Sequence, residues 1–152
     1  MMKQYMRYGF SVLKYLCWPL ESKVKQFCKN YEEKISKLGG LDFQLLGIGR
    51  TGHIGFNEPG SSLNSETRLV KLDYLTRTDA SKSFGDFENV PKTAITMGVS
   101  TILKAKRIVL IAWGENKSDM IFKSIESKIS QNVTASFLQK HKNTTFVLDN
   151  GS

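Results

Sequence analysis

FQLLGIGRTGHIGFNEPGSS, residues 43–62, sets a short apolar run against an irregular turn, and its reading decides the fold. Phe43 to Ile48 is a run of strand length broken mainly by Gln44, which suits a strand buried on both faces, the pattern of a parallel sheet. Gly47, Gly49 and Gly52 follow, and glycine lets a backbone take positive φ and approach a ligand closely. Behind them stand His53, Asn57 and Glu58, His53 being one of only 2 histidines in the chain. A loop of this composition buries little apolar surface and is costly to order unless something bound there rewards it. It reads as the active-site loop.

Working outward, Arg107 to Trp113 (RIVLIAW) is the second clear buried strand, followed by Gly114 and a helix from about Asn116 to Ser127. Thr93–Met97 and Thr144–Leu148 predict further strands and Arg68–Leu72 a weaker one. Short helices are expected at Thr78–Phe84, capped by Thr78, at Gly98–Leu103 and at Val133–His141, with a surface loop from Gly85 to Pro91. Upstream, Glu21–Leu38 places Val24, Phe27, Tyr31, Ile35 and Leu38 on one helical face, and Gly39-Gly40 ends it. Residues 3–17 predict another helix, closed by Trp18-Pro19. Strands alternating with helices imply right-handed crossovers and an α/β class, a mostly parallel sheet covered by helices on both faces. The expected organisation is one domain over residues 1–152, with a helical portion at 1–38 and an α/β core at 41–152.

A chain of 152 residues with 40% hydrophobic content suffices for one cored domain. The net charge of +8 invites a nucleic-acid partner, but Lys and Arg are spread along the chain without an Arg-rich run or an aromatic ladder. Nucleic acid is therefore not expected, and the basic excess suits a small anionic substrate such as a sugar phosphate. Cys17 and Cys28 have no second Cys or His pair nearby, so no zinc pattern is offered and a reducing, cytoplasmic compartment is the plain reading. Arg7 and Lys14 interrupt the apolar first residues, which argues against a secretory signal. No run approaches the ~18 apolar residues of a membrane span, so no membrane partner is expected.

The spacing of Gly47, Gly49 and Gly52 spells G-x-G-x-x-G after a strand, with Asp73 beyond it, which superficially fits a dinucleotide fingerprint. That motif requires the third glycine to open a long helix whose N-terminus holds a pyrophosphate, and Pro59-Gly60 would break such a helix. His53 and Glu58 are close enough along a glycine-rich turn to converge, and an imidazole beside a carboxylate is a tuned proton carrier near neutral pH. The bland alternative leaves His53 on a backbone carbonyl and Glu58 on a surface lysine. In parallel α/β sheets ligands bind outside the carboxyl ends of strands, so the loop at Gly114, Glu115, Asn116 and Lys117 should share a rim with the His53 loop. Lys117 could there reach an anionic group, although a solvated lysine is the competing reading. Arg68 and Lys82 are further candidate phosphate ligands of the same kind.

Taken together, YEEKI at 31–35, LLGIGRTGHIGFNEPGSSL at 45–63, Thr67-Arg68, VPKTAITMGVSTIL at 90–103, RIVLIAW followed by Lys117, and TTFVLD near the end resemble the glucosamine-6-phosphate deaminase/isomerase family. The resemblance implies a partial Rossmann-like three-layer fold. It implies a small amino-sugar phosphate whose ring is opened, isomerised from aldose to ketose and relieved of ammonia to give fructose 6-phosphate, with no metal or organic cofactor. His53 matches the ring-opening acid-base histidine and Glu58 the carboxylate that orients it. Gly49, Gly52 and Asn57 fall among the substrate-binding positions. Lys117 falls on a phosphate-contacting lysine, and Lys82 falls where the family usually has an arginine, so that charge is kept but the bidentate fork is lost.

Ser61, Ser62 and Arg68 match positions of an allosteric phosphate site in regulated members. Thr51 stands where the family commonly has an aspartate. The family's glycine-rich phosphate loop and C2 base have no counterpart in the matched stretch, and a chain lacking the first strands of the sheet would expose strand edges. This predicts a homo-oligomer or association through those edges, and a non-catalytic or partner-completed subunit is the alternative function.

Overall fold

The structure, a computed structural model, describes residues 21–151. The helix expected at residues 3–17 lies outside them. Helix α1 (Glu21–Lys37) forms where expected, and Gly39 and Gly40, at φ 86° and 93°, close it through Gly39 N–H to Ser36 O and Gly40 N–H to Ile35 O. Its inward stripe is Val24 and Cys28, continued by the partly buried Glu32 and Ile35, whereas Phe27, Tyr31 and Leu38 stay exposed. Its anchor is polar. The Glu32 carboxylate accepts from the Thr67 N–H at 2.8 Å and the Thr101 hydroxyl at 2.7 Å, as well as from the Thr67 hydroxyl. Burial pushes the Glu32 carboxyl up, but the threonine hydrogen bonds and the charge of Lys104 outweigh it and hold it below its ordinary value.

Strands β1 (Phe43–Leu46), β4 (Arg107–Ala112) and β5 (Thr144–Leu148) make a parallel sheet in the order β1-β4-β5, with Leu46 opposite Leu110 and Leu110 opposite Phe146. Strands β2 (Arg68–Lys71) and β3 (Thr93–Thr96) pair with each other, antiparallel, as a separate two-stranded ribbon. Alternation with helices suggested a place in the parallel sheet for these two. The hairpin-like return through residues 72–92 reverses the chain instead.

Along β1 and β4 alternate side chains face a core of Leu46, Ile108, Leu110 and Ala112, packed against Ile54 of the loop, Ile102 of α3 (Val99–Leu103), Ile121 of α4 (Ser118–Ile125), and Ala135 and Leu138 of a 3₁₀ segment (Thr134–Lys140). The helix expected at Val133–His141 is this 3₁₀ segment. Central β4 is buried on both faces as the apolar run implies. Strand β1 is not: Phe43 and Leu45 on its outer face are 53% and 55% exposed. Among the described residues β1 has a strand neighbour on one side only, so half of its apolar run meets solvent.

Helix α2 (Tyr74–Phe84) begins four residues before the expected Thr78. Asp73 caps it, accepting from the Leu75 N–H at 2.8 Å, while the Thr78 hydroxyl turns back to Tyr74 O within the helix. None of its residues is buried, so no apolar period marks its first turn. Gly85, at φ 81°, ends it. Gly98, the N-cap of α3, sits so tightly under Ser65 that an added Cβ would lie 2.1 Å from Ser65 O, which fixes glycine there. No helix among the described residues is long and apolar enough to cross a membrane.

Candidate functional site

The loop leaving β1 folds back at once. Gly49 N–H donates to His53 O at 2.9 Å and Gly52 N–H to Gly49 O at 3.0 Å, closing a turn that returns the His53 ring over Gly49. A Cβ at Gly49 would fall 2.1 Å from His53 Nε2 and 2.2 Å from Cε1, so the imidazole occupies the space a side chain would need. Gly52, at φ 76°, is pressed in turn by Val133 and Met120.

In this setting His53 and Glu58 converge. Nδ1 lies 3.0 Å from Glu58 Oε2, and the two side chains are only 12% and 14% exposed. The bland reading of each residue fails on that contact. Thr51 joins the pair, its hydroxyl 2.9 Å from His53 Nδ1 and 3.4 Å from Glu58 Oε2. The other carboxylate oxygen, Oε1, accepts from the Thr76 hydroxyl at 2.6 Å and the Asp73 N–H at 3.4 Å. Burial pushes the Glu58 carboxyl up, yet the His53 and Thr76 hydrogen bonds, the His53 charge and the Asp73 N–H prevail and hold it below the ordinary carboxylate value. Glu58 is therefore ionised at neutral pH, an acceptor on both oxygens.

The Asn57 side chain is engaged by the chain itself. It is fully buried, and its amide nitrogen donates to Ile54 O at 3.0 Å and Met97 O at 2.9 Å while Oδ1 accepts from Arg68 at 2.9 Å. With Thr134 donating to its carbonyl, it ties the loop to β3 and the 3₁₀ segment, a holding role rather than the ligand contact expected. Arg68 spans Asn57 and the Ser61 hydroxyl, 3.1 Å away, and burial lowers its guanidinium from the ordinary value. Ser61 and Arg68 are thus neighbours. Ser62 is turned into a local loop, accepting from the Asn64 N–H.

The parallel pairing of β1 with β4 puts the loop after β4 on the same rim. Gly114, at φ 89°, donates to the Asp149 carboxylate at 3.0 Å, which joins the ends of β4 and β5, and Lys117 closes the 3₁₀ turn Glu115–Lys117 just before α4. Met120, one turn on, packs on Gly52. On the opposite side α2 is held to the loop by Thr76 on Glu58 and by an Arg50–Asp79 ion pair of 2.9 Å, and it carries the exposed Lys82 one helical step past Asp79. A cavity of about 410 Å³ lies between Glu58 and the chain running from the end of β2 into α2, lined by Glu58, Lys71, Leu72, Asp73, Tyr74 and Arg77. Among the described residues no side-chain hydrogen bond or ion pair engages Lys82 or Lys117, and no cluster of His, Cys, Asp and Glu could hold a metal ion.

Sequence reasoning missed Thr76, Asp79 and Arg50. A lone threonine or ion pair on an exposed helix leaves no pattern to read. Thr51 was legible only as a departure from the family, not as a third member of the cluster.

The largely buried His53–Glu58 pair sits in the loop at the carboxyl end of a parallel strand of an α/β fold, the place where such folds bind their ligands. Residues 11–147 match the model of the glucosamine-6-phosphate isomerases/6-phosphogluconolactonase family, and the chain belongs to that family. It is 47% identical over 128 residues to a glucosamine-6-phosphate deaminase of Clostridium acetobutylicum, a match spanning 84% of this chain and 53% of that protein. A glucosamine-6-phosphate deaminase-like protein of Bacteroides thetaiotaomicron is 55% identical over 124 residues, covering 82% of this chain and 19% of that one.

The solved structure of a monomeric glucosamine-6-phosphate deaminase superposes with a TM-score of 0.81 at 44% identity, over 84% of this chain and 53% of the other. A 6-phosphogluconolactonase from Trypanosoma cruzi, at 22% identity and a TM-score of 0.68, shares the fold over 93% of this chain and 55% of its own. The chain thus spans about half the length of the deaminases it matches.

Proposed function

We propose that this chain carries out the ring-opening part of glucosamine-6-phosphate deaminase chemistry. The observation that supports this reading is the 3.0 Å contact between His53 Nδ1 and Glu58 Oε2 inside a largely buried loop. His53 takes the proton of the substrate's anomeric hydroxyl, the bond from C1 to the ring oxygen breaks, and the proton returns to that oxygen, leaving the open-chain aldehyde. Glu58 orients the ring and stabilises the imidazolium formed on the way. Lys117 and Lys82 supply positive charge for the phosphate, each as a point charge rather than a fork.

The later steps move a proton from C2 to C1, release ammonia and leave fructose 6-phosphate. They need a second base at C2, for which the matched loops offer no candidate. Cytoplasmic metabolism without a metal or organic cofactor goes with this reading.

The test separates the two halves of the reaction. Exchange between the anomers of glucosamine 6-phosphate, followed by NMR, should accelerate with the purified chain and fall by about 10²- to 10⁴-fold in His53→Gln, the usual cost of losing an acid-base group. Ammonia release should be far slower than exchange. Exchange no faster than in buffer overturns the reading, and rapid ammonia release overturns its restriction to ring opening.

The exposed Phe43 and Leu45, on a strand paired on one side only among the described residues, favour a second reading. Here the chain is a sugar-phosphate-binding subunit completed by another polypeptide or a second copy of itself, because an unpaired strand edge with an apolar face invites pairing. Sedimentation as a monomer with full deaminase turnover would remove it.

A further inference from the structure

The chain's two histidines are held in opposite ways, and the difference assigns a proton. His141 presents Nε2 to the Ala105 carbonyl at 2.7 Å, while its Nδ1 receives the Asn143 N–H at 3.3 Å and faces the Thr144 hydroxyl at 3.0 Å. A carbonyl only accepts, so the neutral His141 ring carries its proton on Nε2. His53 is the reverse. Its Nδ1 faces Glu58 Oε2, and an ionised carboxylate only accepts, so Nδ1 must carry the proton. Thr51 is placed to enforce this. Its one hydroxyl proton points to Glu58 Oε2, 3.4 Å away, which leaves a lone pair facing the same Nδ1–H at 2.9 Å. On the far side of the carboxylate, Thr76 and the Asp73 N–H hold Oε1, so Glu58 cannot rotate out of the arrangement without giving up two further donors.

We propose that Thr51 is a positioning residue which, with Glu58, locks neutral His53 in the Nδ1–H tautomer, so that Nε2, resting over Gly49, is the atom that accepts and returns the substrate proton. The second clause rests on the ring-opening reading; the tautomer does not. A neutral hydroxyl in this position fixes the ring without adding a second negative charge beside it.

The test is a long-range proton–nitrogen NMR spectrum of the ¹⁵N-histidine-labelled chain at about pH 9, where imidazole is neutral by its ordinary value. The expected spectrum shows one histidine of each tautomer: His141 protonated on Nε2 and His53 on Nδ1, assigned with His53→Gln. Thr51→Val, which keeps the shape and removes the hydroxyl, should lower the ratio of Nδ1–H to Nε2–H forms at His53 roughly three- to tenfold, the scale of one neutral hydrogen bond. Thr51→Ser should restore it. The His141 signals should not move in either variant, which separates a local effect from a folding defect.

If Thr51→Val does not fold, the wild-type spectrum and Thr51→Ser decide the matter. A wild-type His53 protonated on Nε2, or a Val variant with an unchanged ratio, overturns the proposal. Because the readout uses no substrate, a chain that fails to open glucosamine 6-phosphate yet shows the tautomer pattern separates failure of the functional reading from failure of this one.

Discussion

The loop from Gly47 to Ser62 and the connector from Leu72 to Lys92 both carry candidate site residues, yet they are held by different forces. The loop is pinned from within: Ile54 and Asn57 are fully buried, and Asn57 alone joins Ile54, Met97 and Arg68. The connector's helix α2 buries nothing and reaches the loop through one hydroxyl on Glu58 and one exposed ion pair. Groups whose relative position must be kept to a few tenths of an ångström sit on the first. Lys82, the proposed point charge for the phosphate, sits on the second. Low burial also means that α2 opens at little cost, as segments that yield to a ligand do.

The sharpest way to break this comparison is Gly49→Ala. The new methyl would take the space of the His53 ring, and anomer exchange should fall as far as in His53→Gln, about 10²-fold or more, if the ring's seat is what matters. Near-normal exchange would show that the ring works from another position. Next in size, Asn57→Ala should cost about 3 kcal/mol in urea unfolding, since it removes the three hydrogen bonds of a fully buried side chain. Asp79→Ala, on the connector, should stay within roughly 0.5 kcal/mol because its ion pair is exposed. Equal costs would erase the distinction between the two regions.

A pH series sharpens the link between them. The Glu58 carboxyl is lowered in the folded chain from an ordinary value of 4.5, so its contribution to stability is present above that value and is lost as pH falls through the lower folded one. The stability difference between wild type and Glu58→Gln should therefore be constant near neutrality and shrink only in acid. A difference that grows in acid would reverse the assigned sign. Thr76→Val should cost about 1 kcal/mol, together with a rise in the Glu58 midpoint as one donor is lost.

Much of this was legible beforehand where a residue's own chemistry forced the outcome. The glycines at 39, 40 and 52 take positive φ, though Gly47 and Gly49 do not, and RIVLIAW holds the strand buried on both faces, which ends at Ala112 and leaves Trp113 exposed. The convergence of His53 with Glu58 follows from a turn that only glycines make this tight. Other features were illegible because their cause lies across the fold. The outer face of β1 reads as buried, since an apolar run does not say how many neighbours its strand has. The first turn of α2 is silent, since a helix that packs against nothing needs no apolar period. Asn57 looks like a polar group awaiting a ligand until Arg68 of β2, Met97 beyond β3 and Ile54 of its own loop have filled it.

By itself the sequence determined the family, the α/β class and the pairing of His53 with Glu58, because local backbone constraints and motif spacing encode those directly. Only the tertiary structure decided that β2 and β3 leave the parallel sheet and that Asn57 and Arg68 hold the loop together. It also decided that Thr51 and Thr76 brace the two sides of Glu58. Hydrogen bonds join residues many positions apart, and one sequence pattern serves equally for a bond to a ligand and a bond to the chain itself.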